Sequence, residues 1–143
     1  MIAGGCRCGA VRYRIDAETM PATYACHCTR CQTSSGSAFT VQMPVKLERL
    51  AVEGEVLSVA LPTASGAIST IRHCPACLTR LYGVGAARAD IAIVRAGTLD
   101  DSAGLSPAMH IFTDTKQPWV TLPEGVPAYA GDPGPEAWAR LLA

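Results

Sequence analysis

Gly5-Cys6-Arg7-Cys8-Gly9-Ala10-Val11-Arg12-Tyr13-Arg14-Ile15-Asp16 sets two patterns side by side: a Cys-x-Cys pair, and apolar residues alternating with charged ones. Val11, Tyr13 and Ile15 alternate with Arg12, Arg14 and Asp16, and that period of two predicts a half-buried β-strand. Working outward, further strands are expected over residues 37–43 (ended by Pro44), 47–52, 55–61, 67–73, 81–84, 91–96 and 109–112. Gly54 between two of them reads as a hairpin turn. Ile68 and Ile71 fall on opposite sides of their strand, which leaves its facing open.

Helical signals are few. Thr29 to Ser35 can form one or two turns, with Gly36 as the C-terminal cap. Pro135 suits a first helical position, Glu136 suits the N-terminal dipole, and Ala137, Trp138, Leu141 and Leu142 form an apolar stripe. That stripe is expected to cover its own core; docking on a partner or a second copy of the chain is the alternative. The fold class is therefore mainly β with short helices, one of them C-terminal.

The chain has 143 residues, which fits one domain with its own core. Hydrophobic residues make up 49% and charged residues 17%, a globular rather than a disordered composition. Lys+Arg and Asp+Glu stand at 12 each, so net charge gives no reason to expect nucleic acid or an anionic membrane as a partner. No apolar run is long enough to cross a bilayer, and the N-terminus shows no secretory pattern. A reducing, cytoplasmic setting is the expectation, and there clustered cysteines point to metal or redox chemistry rather than disulfides.

All seven cysteines fall in close groups: Cys6 and Cys8; Cys26, Cys28 and Cys31; Cys74 and Cys77. Zinc takes thiolate sulfur in a tetrahedron, and cysteines this close on a turn present two or three sulfurs to one ion. Seven sulfurs divide as four plus three. Cys6, Cys8, Cys74 and Cys77 would close a structural site, while Cys26, Cys28 and Cys31 would leave one position open for water or substrate. Spacing alone does not fix that pairing. Thiolate-rich zinc carries net negative charge, so Arg7, Arg30, Arg72 and Arg80, close to the cysteines in sequence, are candidates to offset it; at most half are expected to touch a site. His27 would point away from the neighbouring sulfurs if its segment is extended, which favours a supporting or substrate-facing role over ligation, with a surface imidazole as the alternative. His73 reads as a flank of the Cys74–Cys77 turn and His110 as a strand residue. A thiol redox role for the Cys28-Thr29-Arg30-Cys31 pair is disfavoured by the extra Cys26 and the distal pair.

Taken together, Gly5–Tyr13, Cys26-His27-Cys28-Thr29-Arg30-Cys31, Ser35-Gly36-Ser37-Ala38-Phe39, Cys74-Pro75-Ala76-Cys77, Gly97-Thr98-Leu99-Asp100 and Pro107-Ala108-Met109-His110-Ile111-Phe112 with Pro118-Trp119 resemble the glutathione-dependent formaldehyde-activating enzyme family. The same domain occurs in centromere protein V. The match runs in family order from residue 4 to about 127, with a helical tail at about 134–142. The resemblance implies a β-tent-like fold of antiparallel sheets. It implies one zinc on Cys6, Cys8, Cys74 and Cys77 and a second on Cys26, Cys28 and Cys31, and a carbon–sulfur lyase activity on the glutathione–formaldehyde adduct. His27 is the first candidate to carry the proton that this chemistry moves, and Tyr24 the second. Another thiol adduct or small electrophile is the alternative substrate, since the loop from Pro62 to Gly66 and the Asp100-Asp101 region show no glutathione signature; a non-catalytic zinc module is a further reading. One departure stands out: Leu78 follows Cys77 where the family usually has glycine, so either Leu78 takes a strained positive φ or the turn differs.

Overall fold

Ile2–Gly5 (β1) and Arg12–Ile15 (β2) pair antiparallel, Gly4 opposite Tyr13, and β2 in turn pairs with Leu50–Glu53 (β5). The computed structural model describes every residue of the chain except Ala64. The pleat of β2 puts Tyr13 and Ile15 inside, with Val11 buried just ahead of it, as the alternation predicts. The remaining strands are Tyr24–Cys26 (β3), Thr40–Lys46 (β4), Leu57–Pro62 (β6), Ile68–His73 (β7), Arg80–Gly85 (β8), Arg88–Arg95 (β9) and Met109–Ile111 (β10). Among the described residues the helices are Thr29–Ser35 (α1) and Pro135–Leu142 (α2), with three single 3-10 turns between elements. The protein is mainly β, with one of its two helices at the C-terminus.

The chain forms two compact units. The first comprises residues 1–21 and 43–105 and contains β1-β2-β5 and the antiparallel meander β6-β7-β8-β9. The second comprises residues 22–42 and 106–143; there β3 lies between the start of β4, antiparallel, and β10, parallel. The sheets are antiparallel as expected, and β3–β10 is a parallel pair within them. Parallel neighbours need a long crossover, and the chain between Cys26 and Met109 supplies one.

Three local expectations are corrected. Pro44 does not end its strand: β4 continues to Lys46, because extended backbone tolerates proline's φ and loses only one donor. Leu47–Arg49 is a 3-10 turn rather than the start of a strand. Gly54 is not a hairpin turn: β5 pairs with β2 and β6 with β7. Gly54 has φ 100°, and a side chain there would collide with the Ala10 carbonyl, so glycine serves close backbone approach. In β7, Ser69 and Ile71 face inward and Ile68 outward. The Pro62–Gly66 loop includes Ala64, which lies outside the described residues.

Candidate metal centres and a buried histidine pair

The first unit brings Cys6, Cys8, Cys74 and Cys77 together, their sulfurs all within 4.8 Å of one another. Two tight turns do this. After β1, the Gly9 N–H donates to the Cys6 carbonyl (3.1 Å) and the Val11 N–H to Cys6 Sγ (3.2 Å), which turns both sulfurs the same way. After β7, the Leu78 N–H donates to the Cys74 carbonyl (2.9 Å) and the Cys74 N–H to the Thr79 carbonyl (3.0 Å). Thr79 Oγ1 accepts from the Arg7 N–H (3.2 Å) and lies 3.1 Å from Cys77 Sγ, tying one turn to the other. Leu78 takes the strained alternative, with φ 60° and its side chain in solvent.

The sulfur spacing fits an ion. Cys6 Sγ lies 3.6 Å from Cys8 Sγ, which lies 3.7 Å from Cys74 Sγ. A tetrahedron with metal–sulfur bonds of about 2.3 Å has edges of about 3.8 Å. Crowded sulfurs cannot all carry charge without a cation, and their acidities separate accordingly. The Thr79 hydroxyl holds Cys77 low, at about 5. The Ala10 N–H pulls Cys8 down, but the Cys6 and Cys77 sulfurs outweigh it and push Cys8 up to about 11.

The second unit gathers Cys26, Cys28 and Cys31, again within 4.8 Å of one another. Cys26 ends β3 and Cys28 caps α1, its Sγ accepting the Cys31 N–H at 3.3 Å. Helix α1 spans the predicted residues and ends on Gly36 at φ 67°. Among the described residues no histidine or carboxylate joins this cluster. The neighbouring Cys28 and Cys31 sulfurs drive the Cys26 thiol strongly up, so here too a cation would relieve the crowding.

His27 is fully buried, which removes the surface reading. Its Nε2 lies 2.9 Å from His110 Nδ1, and Phe39 packs at 5.0 Å between ring centroids. Burial, with His110 and Lys116 adding to it, lowers the His27 pKa to about 4, so the ring is neutral at neutral pH. Its carbonyl accepts from Gln32 Nε2 (2.8 Å) and Thr115 Oγ1 (3.0 Å), which fastens the segment between Cys26 and Cys28. His27 Nδ1 and His110 Nε2 are buried without a partner. His110, Gln32 and Thr115 were missed from sequence; the only available signal for His110 was a histidine in an otherwise apolar strand. Tyr24 is buried too, its hydroxyl donating to Gln42 Oε1 (3.0 Å). Of the candidate cations, Arg7 reaches the four-sulfur centre through its backbone, and Arg72 has a buried Nη1 without a partner. His73 belongs to neither cluster.

The family model described as glutathione-dependent formaldehyde-activating enzyme matches residues 1–115. A curated protein of Halomonas elongata, named "Putative glutathione-dependent formaldehyde-activating enzyme", is 26% identical over 127 residues, covering 85% of this chain and 81% of its own. A crystal structure of a Rhodobacter sphaeroides protein shares the fold, with a TM-score of 0.55 at 16% identity, over 89% of this chain and 98% of that one.

Proposed function

This chain belongs to the glutathione-dependent formaldehyde-activating enzyme family, and from that premise we propose that it is a zinc-dependent carbon–sulfur lyase acting on the adduct of glutathione and formaldehyde. The observation that carries the reading is the cluster of Cys26, Cys28 and Cys31: three converging sulfurs, with no fourth protein ligand in the group among the described residues. We assign the four-sulfur cluster to a structural zinc and the three-sulfur cluster to a zinc with one open position.

In the synthetic direction the thiol S–H bond breaks and a C–S bond forms to the formaldehyde carbon. The proton ends on the new hydroxyl oxygen. When bound, zinc would supply the positive charge that lowers a substrate thiol's pKa and polarises a carbonyl. The chain's own residues do the rest. Cys26, Cys28 and Cys31 define where the sulfur arrives, and the paired hydrogen bonds on the His27 carbonyl hold that turn rigid. His27 is our candidate to carry the thiol proton. Its ring is buried, and its hydrogen bond to His110 holds it in place.

NMR exchange between labelled formaldehyde and glutathione tests the reading. Protein should accelerate equilibration, Cys28→Ser should abolish the acceleration with loss of one zinc, and His27→Gln should slow it with both ions kept. Unchanged rates with fully loaded protein would leave a non-catalytic module.

A further inference from the structure

The alternation of β3 and β4 carries a feature that the cysteine pattern does not show. Register pairs Tyr24 with Gln42 and Cys26 with Thr40, so these four side chains share one face of the two strands. Helix α1 delivers Cys31 to that face. There Gln42 Nε2 donates to Cys31 Sγ at 3.4 Å and to Thr40 Oγ1 at 2.9 Å. The other end of the same amide, Oε1, accepts the Tyr24 hydroxyl at 3.0 Å. We infer that Gln42 is a positioning residue that tunes the Cys31 sulfur through an N–H···S hydrogen bond, and that Tyr24 anchors the far end of its amide. The inference rests on the three sulfurs being metal ligands.

The amide has two ends of opposite polarity. With Nε2 toward sulfur, a thiolate gains a donor and gives less electron density to a metal, which leaves the metal a stronger electron acceptor. With Oε1 toward sulfur, two electron-rich atoms would face each other. A metal-bound thiolate has no proton to give and so selects the first orientation, while the Tyr24 and Thr40 hydroxyls, each able to donate or accept, complete the amide's other bonds. Tyr24 is in turn held edge-on by Trp138 of α2, with ring centroids 5.0 Å apart and planes at 84°. Helix α2 lies beyond residues 1–115 matched by the family model, so a segment outside that match helps set the properties of one candidate ligand sulfur.

Cadmium-113 substitution of the full chain tests this directly. Two metal resonances are expected, one per cluster, and a proton–cadmium correlation should join the Gln42 side-chain amide to the three-sulfur resonance. Gln42→Leu should erase that correlation and shift only that resonance. Tyr24→Phe, which keeps the ring against Trp138, should shift the same resonance and weaken the correlation, and it decides the matter if Gln42→Leu does not fold. Two resonances with no amide correlation and no shift in either variant would overturn the role of Gln42 while leaving the metal centres standing. Absence of the second resonance would remove the metal centre, and this inference with it.

Discussion

Leu78 holds a φ of 60° while its side chain lies in solvent, so it bears the strain of the turn with no burial in return. A left-handed conformation costs a β-carbon-bearing residue about 1–2 kcal/mol. Leu78→Gly should therefore stabilise the protein by about 1 kcal/mol, offset in part by glycine's greater freedom when unfolded. The check is a higher urea midpoint at unchanged slope. Arg12 and Asp100 form a two-pronged ion pair, with Nη1 to Oδ1 at 2.9 Å, that joins β2 to the turn after β9. The Arg12 guanidinium holds the Asp100 carboxyl below the usual aspartate range. A lowered folded pKa adds stability above the unfolded pKa, and that contribution disappears as pH falls through the folded value. Both groups are half exposed, so the effect is small. Carbon-13 titration of Asp100 should show the low midpoint, and Arg12→Gln should return it toward the ordinary range.

At the scale of elements, α1 depends on its two ends. Cys28 caps the start through sulfur, and Gly36 ends the helix in a left-handed conformation with open space where a β-carbon would sit. Gly36→Ala should cost about 1 kcal/mol in thermal or urea unfolding, from backbone strain rather than collision. Helix α1 and β2 were legible in sequence because their signals are local: a glycine at the helix's end, and an alternation of two. The sulfur groups were legible for the same reason, as two or three cysteines on one turn. Gly54 misled because its neighbours look like hairpin strands, while their true partners lie elsewhere in the chain. The short strands β1 and β3 gave no pattern of their own, since Ile-Ala-Gly-Gly and Tyr-Ala-Cys carry no charged residue to alternate with the apolar ones. His27 with His110, and Gln42 with Cys31, could not be read at all. Each is created by strand register or by a helix returning to a sheet, and no spacing along the chain encodes it.

For the molecule as a whole, metal and fold should be one equilibrium. The four-sulfur site joins residues near the N-terminus to a turn after β7, and that convergence exists only in the folded chain. Chelation should release two ions per chain and lower the melting temperature. Added zinc should raise it again with free metal concentration, each site adding about 2.7 kcal/mol of stability at a hundredfold excess over its dissociation constant. Elemental analysis paired with calorimetry checks both. Among the described residues no helix is long and apolar enough to cross a membrane.

The two clusters differ in how much chain must be synthesised before each exists. Cys26, Cys28 and Cys31 span one short stretch, so a growing polypeptide can offer all three thiols soon after that stretch emerges. Cys6 and Cys8 must wait for Cys74 and Cys77, and closing that larger ring costs more chain entropy. The ribosome therefore presents the two centres in a fixed order, the local trio ahead of the quartet. A short peptide spanning residues 24–36 should already capture an ion that the quartet's separate halves hold only weakly.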